Sequence, residues 1–529
     1  MKTAVFTIFF LLTAIVNSQV NLVWQSNFNG PGNGWDYPYS MVLDNAGNIY
    51  ITGESANGVY YDCVTIKYNS SGVEQWFRTF NGSGNSTDFG KSIAIDASGN
   101  VYVAGQTTSA SGLRDYLVIK YNSTGIQQWV RTYNGTGNAN DNAFSIAVDA
   151  SGNVYVTGEA SASVSFDFIT IKYNSAGVEQ WVRSYNGPGN NWDAAASLAL
   201  DAAGNVYVTG FSRSSSNTNS GDYATIKYNS DGVQQWVSRF NGPANTNDFA
   251  YFIKVDPSGN AYVTGQSQGD FLTIKYNTSG AEQWASRYNS PENAFETPKA
   301  MAIDASGNVY ITGQSNLGLG TEDYATVKYN TAGIEQWGRI YNGPMNNTDA
   351  ATSIAVDDSG KVFVTGTSLV ITGNEMTTIH YNPLGVEQWV QRTPSAAVGN
   401  SIALDAAGNI FVTGYGTIAN ADIITVMYTP VIAINQIGIE IPNAFSLSQN
   451  YPNPFNPVTN IEFAVPKSGF VKLSVLDLTG RELEILVNQN MKAGTYMADW
   501  DASKYSSGVY FYTITSESFR ETKKMILIK

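Results

Sequence analysis

A ten-residue pattern that recurs eight times constrains this chain more than any other feature. It reads Asp-x-x-Gly-Asn, then an apolar, an aromatic and a β-branched residue, then Thr or Ala, and Gly, and consecutive copies begin 48 to 55 residues apart. A second segment, typified by Asp-Tyr-x-Thr-Ile-Lys-Tyr-Asn-x-x-Gly-x-x-Gln-Trp, follows each of the first seven copies, whereas the eighth stops at Tyr428. Such regular spacing indicates eight copies of one structural unit. The copies begin at Asp44, Asp96, Asp149, Asp201, Asp256, Asp304, Asp357 and Asp405, with Lys361 replacing the Asn of the seventh.

Each unit is predicted to contain four short strands. In the fourth copy, the strand before Asp201 and the strand over residues 205–209 flank an Asp-Ala-Ala-Gly hairpin turn. The Asp accepts backbone hydrogen bonds there and the Gly takes the left-handed conformation. Residues 223–228 alternate with a period of two, and residues 233–240 supply the fourth strand. Four strands in about 50 residues, repeated around an axis, predict an all-β fold with a β-propeller of eight blades.

An unpaired strand near the N-terminus predicts how the ring closes. Residues 22–30, which include Trp24, match the Glu-Gln-Trp-Val-Arg-Ser-Tyr-Asn-Gly stretch of later copies but precede the first unit. The last unit lacks its fourth strand. We therefore expect residues 23–28 to pair with residues 423–428, which completes the eighth blade and leaves no free sheet edge.

The repeat is similar to a known family. Asp-Ala-Ser-Gly-Asn-Val-Tyr-Val-Thr-Gly from Asp149, and Asp-Phe-Ile-Thr-Ile-Lys-Tyr-Asn-Ser-Ala-Gly-Val-Glu-Gln-Trp from Asp167, resemble the SBBP-type β-propeller repeat of exported bacterial proteins. The resemblance covers residues 19–430 and implies the propeller fold, with little said about activity. Members are usually described as seven-bladed, so seven blades is the alternative to the eight counted here.

Composition excludes several classes of chemistry. One histidine, His380, and one cysteine, Cys63, leave no two-histidine metal site, cysteine-based zinc site or intrachain disulfide. His380 takes the place of a third-strand lysine and is expected to be an exposed strand residue, and Cys63 is expected to be inert packing. The 29 basic and 43 acidic residues give a net charge of −14, which argues against nucleic acid or an anionic membrane as partner. We expect no catalytic residue set, no metal and no cofactor.

The first residues are typical of an export signal. Lys2 precedes an apolar run over residues 4–16, and Val16-Asn17-Ser18 provides a cleavage site. The run is shorter than the roughly 20 residues of a membrane span. We expect a signal peptide over residues 1–18 and no transmembrane segment in the mature protein.

The residues after the last repeat have a different composition. Residues 431–442 are predicted to be a linker. Residues 443–529 carry nine basic and eight acidic residues, so the acidic character belongs to the rest of the chain, at net −15. About seven short strand-like runs in this segment predict a small Ig-like antiparallel β-sandwich.

This last segment contains a set of motif residues: Tyr451, Pro452, Asn453, Pro454, Phe455, Asn456, Pro457, Gly480, Arg481, Glu482, Gly508, Lys523 and Lys524. With these residues the segment strongly resembles the type A sorting domain of the type IX secretion system. The resemblance implies export across the inner membrane, then outer-membrane translocation by the type IX machinery, a host of the Bacteroidetes type, and removal of the domain at or near the surface. The protein is therefore expected to be secreted or attached to the cell surface.

Two sets of side chains are candidates for function. The loops before the first strands carry Trp35 with Asp36 and Trp192 with Asp193, and aromatic rings beside Asp and Asn can bind a sugar. These tryptophans could instead wedge between blades. An acidic residue also opens every third strand, and its presence in all units favours a structural role over a ring of cation ligands. These acids are Asp62, Asp115, Asp167, Asp222, Asp270, Asp323, Glu375 and Asp422.

Three functions remain open from the sequence. We favour a non-enzymatic propeller that binds a glycan or a surface protein through its loops. One alternative is a polysaccharide-active enzyme with paired carboxylates from Asp36, Asp88, Asp141 and Asp193, which would need two of them about 5–10 Å apart in a cleft. The other is a structural or adhesion component. The net charge favours a neutral or cationic ligand.

Overall fold

The computed structural model describes residues 20–528, except 163–164, 215–220, 244–245, 317–320, 372, 417–420, 431–433, 439, 503–504 and 517–518. The predicted signal peptide lies outside the described residues. All regular elements in the described part are strands. That part contains no helix of the length and hydrophobicity that a membrane crossing requires. Contacts separate the chain into a body formed by Leu22–Thr429 and a second body formed by Pro430–Lys529.

The first body is a β-propeller of eight antiparallel blades within the described residues, which confirms the predicted architecture. Blades one to four comprise β2 Asp36–Leu43, β3 Ile49–Asn57, β4 Tyr60–Tyr68 and β5 Glu74–Phe80; β6 Phe89–Ile95, β7 Val101–Thr108, β8 Arg114–Tyr121 and β9 Gln127–Tyr133; β10 Asn142–Val148, β11 Val154–Ala162, β12 Ser165–Tyr173 and β13 Glu179–Tyr185; and β14 Asp193–Leu200, β15 Val206–Arg213, β16 Gly221–Tyr228 and β17 Gln234–Phe240. Blades five to eight comprise β18 Asp248–Val255, β19 Ala261–Ser267, β20 Asp270–Tyr276 and β21 Glu282–Tyr288; β22 Phe295–Ile303, β23 Val309–Asn316, β24 Glu322–Tyr329 and β25 Glu335–Tyr341; β26 Asp349–Val356, β27 Val362–Val370, β28 Gly373–Tyr381 and the first half of β29 Glu387–Leu404; and the second half of β29 with β30 Ile410–Gly416, β31 Ile423–Pro430 and β1 Val20–Phe28.

The first strand of every blade lies at the centre of the ring. The first strands of neighbouring blades contact one another at all eight junctions, including the junction between β29 and β2. They therefore surround the central channel. Since the strands of a blade alternate in direction, the connections before first strands and after second strands share one side of the ring, which we call the loop face.

Strand β1 closes the ring as predicted. It is the neighbour of β31 in the eighth blade. Phe28 is 3% exposed and joins Met41 of the first blade with Phe411 and Ile423 of the eighth in one apolar cluster. Burial of these side chains across the junction links the two ends of the repeat region.

Tryptophans of the fourth strands join each blade to the next. The Trp76 Nε1 donates a hydrogen bond to the Ser123 carbonyl of the next blade, at 3.3 Å. Trp24 of β1 makes the same bond to the Ser70 carbonyl of the first blade, at 3.1 Å. A Cβ on Gly72 would lie 2.5 Å from the Trp24 ring, so only glycine admits this packing. Trp24 thus occupies the position in the eighth blade that Trp76 occupies in the first.

The Asp-x-x-Gly turns have the predicted structural role. Asp44 Oδ1 accepts from the Ala46 and Asn48 amides, both at 2.9 Å, and Oδ2 accepts from the Asn48 side chain and the Tyr50 hydroxyl. Gly47 has φ +75°, which favours glycine. A carboxylate that accepts four hydrogen bonds in its own hairpin has no capacity left for a ligand.

Two features of the seventh and eighth units differ from the prediction. The fourth strand of unit seven and the first of unit eight form the single strand β29, because this junction lacks the Asn-Gly-rich loop of the others. His380 is half-buried rather than exposed, since its ring stacks on Phe363 with centroids 4.5 Å apart and planes at 7°. Burial lowers the pKa of His380 to about 3, so the ring is neutral.

Cys63 of the first blade is 1% exposed in an apolar cluster, and burial raises the pKa of its thiol.

The second body consists of two four-stranded sheets packed face to face. Trp500 and Phe463 of one sheet and Val471, Leu473 and Tyr512 of the other share one buried core. Within the predicted linker, residues 434–438 pair with the strand at 494–501, so part of that segment belongs to the sandwich. The strands are β32 Ile434–Gly438, β33 Ser446–Leu447, β34 Val458–Val465, β35 Gly469–Leu476, β36 Glu482–Met491, β37 Gly494–Asp501, β38 Gly508–Ser516 and β39 Phe519–Leu527.

Candidate functional site: the mouth of the channel

The loop aspartates fold the loops and do not face solvent. Asp36 and Asp193 are 0% exposed, and their Oδ2 atoms accept the amides of Gly30 and Gly187 at 2.8 and 2.7 Å. Asp88 and Asp141 are equally buried and bonded in the same way. Each of these carboxylates closes its own loop, so in this structure none of the four faces solvent. A direct ligand or catalytic contact by any of them would require its loop to open.

The two loop tryptophans are accessible but anchored differently. Trp35 is 43% exposed and lies 5.9 Å from the Tyr37 ring. Trp192 is 40% exposed, and its Nε1 donates to Glu159 Oε2 of the preceding blade at 2.7 Å. Trp192 thus bridges two blades while its side chain stays partly exposed, and the Arg213 guanidinium lies 5.5 Å from its ring centroid.

The acids that open the third strands have local partners in several blades. Asp62 accepts from Asn57 and Asp167 from Ser184, at 2.9 and 3.1 Å. Asp222 and Asp270 form ion pairs at 2.8 and 3.0 Å. Their partners, Arg239 and Arg287, lie on the fourth strands of the same blades. These varied contacts favour a structural role, as predicted.

Asp323, the half-buried acid that opens the third strand of the sixth blade, allows a pH-dependent test of the structural role of these acids. Burial, with smaller contributions from Asp349 and Glu292, raises the pKa of Asp323 to about 6. Because the unfolded value is about 3.9, the folded protein binds this proton more tightly, and the free energy of unfolding rises as the pH falls from about 6 to about 4. We expect Asp323→Asn to raise the melting temperature at pH 7.5 and to change it little at pH 4.

A turn aspartate is the matched control of opposite sign. Burial of Asp44 is outweighed by hydrogen bonds from Asn48 and Tyr50, which lower the pKa of Asp44. Its contribution to stability is present above the unfolded pKa and is lost as the pH falls below that value. Asp44→Asn should therefore lower the melting temperature at pH 7.5. An Asp323→Asn variant that is less stable than the parent at pH 7.5 would contradict the expectation.

Three positions in each blade bring chemically diverse side chains to the loop-face end of the channel. In the first blade they are Tyr37 and Tyr39 on the innermost strand and Glu54 on the second strand. Every first strand has a β-bulge at the second of these positions, for example between Pro38 and Ser40. A bulge redirects one side chain out of the regular alternation. The repeat holds its other core positions nearly constant while these three vary.

These side chains touch across six consecutive blade junctions, and we call them the mouth residues. Most of these contacts join the second strand of one blade to the first strand of the next, through stacked or edge-on rings or hydrogen bonds. At two junctions the contact is made instead by Tyr39, which is on a first strand, and by Trp192, which is in the loop before a first strand. The pairs are Tyr415–Tyr37 at 4.8 Å, Tyr39–Phe89 at 5.8 Å, Gln106–Asn142, Glu159–Trp192 at 2.7 Å, Phe211–Phe249 at 4.7 Å and Gln266–Thr297 at 3.2 Å.

The mouth contains two aromatic patches. The first patch comprises Trp35, Tyr37, Tyr61 and Tyr415, with Tyr37 within 6.2 Å of each of the other rings. Burial, with a contribution from Tyr61, raises the pKa of Tyr37 to about 12, so its hydroxyl stays protonated. The second patch comprises Trp192, Phe211, Phe249 and Tyr251 on the fourth and fifth blades.

The carboxylates at the mouth are already engaged by neighbouring side chains. Glu54 accepts from the Tyr39 hydroxyl at 2.8 Å. Glu159 accepts from Asn142 and Trp192, both at 2.7 Å. Burial raises the pKa of Glu54, opposed by Tyr39 and Lys91. Sequence reasoning missed the mouth residues because it weighed what the repeats share, while the signal was the position after each Val/Ile-Thr/Ala-Gly, which differs from copy to copy.

The sorting-motif residues mostly build the sandwich. Phe455 is 2% exposed and packs on Trp500, and Asn453 Oδ1 accepts the Ile526 amide at 2.9 Å. Gly480 has φ +82° in a tight turn, and Arg481 Nε donates to Asp477 at 3.0 Å. Three other members have different surroundings. Tyr451 is 79% exposed, Gly508 lines a shallow hollow of about 250 Å³, and Lys523 pairs with Glu521 at 3.3 Å.

Two family models match the chain. The secretion system C-terminal sorting domain matches residues 449–529. The beta-propeller repeat SBBP matches residues 75–112, 128–163 and 235–271. No curated protein sequence matches the chain.

A search of solved structures found matches of low identity and low TM-score. A polysaccharide lyase of family PL25, an ulvan lyase, is 13% identical with a TM-score of 0.41, over 76% of this chain and 95% of that one. Plexin A of Drosophila in complex with Semaphorin 1b is 10% identical with a TM-score of 0.40, over 78% and 88%. A fungal alcohol oxidase of the AA5 family is 13% identical with a TM-score of 0.36, over 83% and 96%.

Proposed function

We propose that this chain, an SBBP-repeat β-propeller with a type IX secretion sorting domain, is an exported protein that binds a glycan at the loop-face mouth of its channel. The sorting domain directs it to the cell surface or outside the cell. The observation that carries the binding proposal is the set of mouth residues, which vary between blades of otherwise near-identical sequence. Variable side chains on a rigid scaffold are where recognition is usually built.

The chemistry of the mouth suits a sugar. Exposed rings such as Trp35 and Trp192 offer flat apolar faces to the C–H side of a sugar ring at small entropic cost. Tyr and Asn groups beside them can donate and accept hydrogen bonds to hydroxyls. A protein ligand is the alternative, and the glycan array distinguishes the two possibilities.

The paired-carboxylate enzyme is less well supported. Its catalytic acids would be Asp36, Asp88, Asp141 and Asp193, and these are 0% exposed with backbone amides bound to them. A glycosidase needs two carboxyl groups that face its substrate in a cleft.

The test is a glycan array probed with the full chain, followed by titration of the best ligand against variants. We expect Trp35→Ala with Trp192→Ala to weaken binding by about tenfold or more, since each stacked ring contributes on the order of 1 kcal/mol. The melting temperature should change little, because both side chains are substantially exposed. Trp236→Ala, which removes a ring at an outer blade junction, is the matched control and should leave binding intact.

Three results would contradict the proposal. Binding unaffected by the double variant would remove the mouth as the site, and unfolding of that variant would support the blade-wedge role of the tryptophans. Depolymerisation of the bound glycan by the parent chain would establish an enzyme instead.

A further inference from the structure

The innermost strands separate their charged residues by sign. Over the described first strands, with residues 397–404 for the eighth blade, every acidic side chain is at most 1% exposed and accepts a backbone amide of its own loop. Every basic side chain there is exposed. The exposed charged side chains of the described innermost strands are therefore all basic, although the whole chain has a net charge of −14. The acids are Asp36, Asp193, Asp248, Glu296 and Asp349, and the bases are Lys91, Lys254 and Lys299.

Lys254 departs from the repeat at a position where the fold needs no lysine. It pairs with Tyr262 across the sheet, and in every other blade the residue paired with the equivalent Tyr or Phe is Ala or Val. Its exposed side chain is nevertheless surrounded by enough protein for burial to lower the pKa of its ammonium group. A group that is both accessible to water and partly desolvated is typical of the wall of a narrow, water-filled channel.

The charges on the fifth and sixth blades are not neutralised by the protein. Within the described residues, neither Lys254 nor Lys299 has a hydrogen bond or an ion pair. Lys91 is different, since its ammonium lies 4.7 Å from the Tyr39 ring centroid and interacts with Glu54. Lys299 occupies the bulge position of its strand, as Tyr251 of the second aromatic patch does in the neighbouring blade, so this unpaired charge lies at the mouth. Lys254 lies three residues beyond Tyr251 on its strand, next to the turn at Asp256, so its charge lies deeper in the channel.

We propose that the channel binds an acidic oligosaccharide from its mouth, with oxyanions of the sugar chain attracted by Lys299 at the mouth and by Lys254 deeper in the channel, and with one sugar ring placed against the second aromatic patch. This inference rests on the proposed glycan-binding function and names its ligand class. It reverses the expectation from net charge. Fixed charges beyond roughly 8–10 Å are screened by salt, whereas charges on a low-dielectric channel wall act on whatever enters.

The test titrates the full chain with three oligosaccharides that share a galactose-type ring. Oligogalacturonates carry carboxylates, sulfated galactan oligomers carry sulfate esters, and galactan oligomers are neutral. We expect one or both acidic probes to bind at least about tenfold more tightly than the neutral one, and the preference to be lost near 0.5 M salt, where the Debye length is roughly 4 Å. The two acidic probes identify which oxyanion is preferred.

The variants locate the charge. Lys254→Gln with Lys299→Gln should reduce affinity for the acidic probe by about tenfold or more, the value of one charge-assisted hydrogen bond, and should leave neutral binding unchanged. The melting temperature should not fall, since both lysines lack partners. Lys492→Gln in the sandwich is the charge-matched control. Equal binding of neutral and acidic probes, or no effect of the double variant, overturns this inference while glycan binding stands, and no binding of any glycan overturns both.

Discussion

Removal of residues 19–29 is expected to lower the melting temperature of the propeller by about 5 °C or more. The deletion takes away the fourth strand of the eighth blade, which exposes the edge of β31. It also removes Phe28 from the cluster that joins the first and eighth blades, and the Trp24 bond to Ser70. Loss of a buried Phe alone costs roughly 3–5 kcal/mol. Thermal unfolding followed by circular dichroism measures the effect.

Point variants distinguish the effect of losing the contacts of strand β1 from the effect of merely shortening the chain. Phe28→Ala should lower the melting temperature by much of the same amount. Leu22→Ala in the same strand should change the melting temperature little, because Leu22 is 48% exposed. A deletion that melts with the parent would show that the ring does not depend on β1. An exposed edge in the deleted form should also increase self-association, which light scattering detects.

Truncation after Thr429 is expected to leave the propeller folded and to abolish its release to the surface. The cut falls between the two bodies, and the propeller core contains no residue of the sandwich. A cut after Pro442, the end of the predicted linker, is less suitable, because it leaves residues 434–438 without their partner strand at 494–501. Fractionation of a type IX-competent host, with immunoblotting of the medium and surface, measures release.

Two outcomes would contradict this second prediction. Normal release of the truncated chain would show that the sorting domain is dispensable. A truncated chain that no longer melts cooperatively would show that the bodies do not fold independently. The control is an internal variant, Lys492→Gln, which keeps the sorting domain whole and should be released normally.

Much of the fold was predictable because its rules are local. An Asp-x-x-Gly turn is completed by its own backbone, as Asp44 shows, so each hairpin could be located from a few adjacent residues. The role of β1 was also predictable, since a Trp-bearing strand without a unit matched a unit without its fourth strand. The long strand β29 was missed because only the absence of a loop motif indicated it.

The candidate site was predicted less well, for a physical reason. Asp36 and Asp193 looked suited to a ligand because Asp beside Trp is a common sugar-binding pair. In the structure both carboxylates are buried and accept amides six residues earlier, at Gly30 and Gly187, so they lie inside their loops. Hydrogen-bond satisfaction of this kind depends on the loop conformation and cannot be read from residue types alone.

The sequence by itself determined the eight-bladed architecture, the closure by β1 and the address carried by the last residues, because a repeated local pattern leaves little choice of fold. Only the tertiary structure decided what the protein presents to a ligand. Lys91, Lys254 and Lys299 are 45 or more residues apart in the chain, and the net charge of −14 does not reveal that they share one location. They act together only because the first strand of each blade lies on the channel, while acidic side chains of the same strands turn into the protein and bind its backbone.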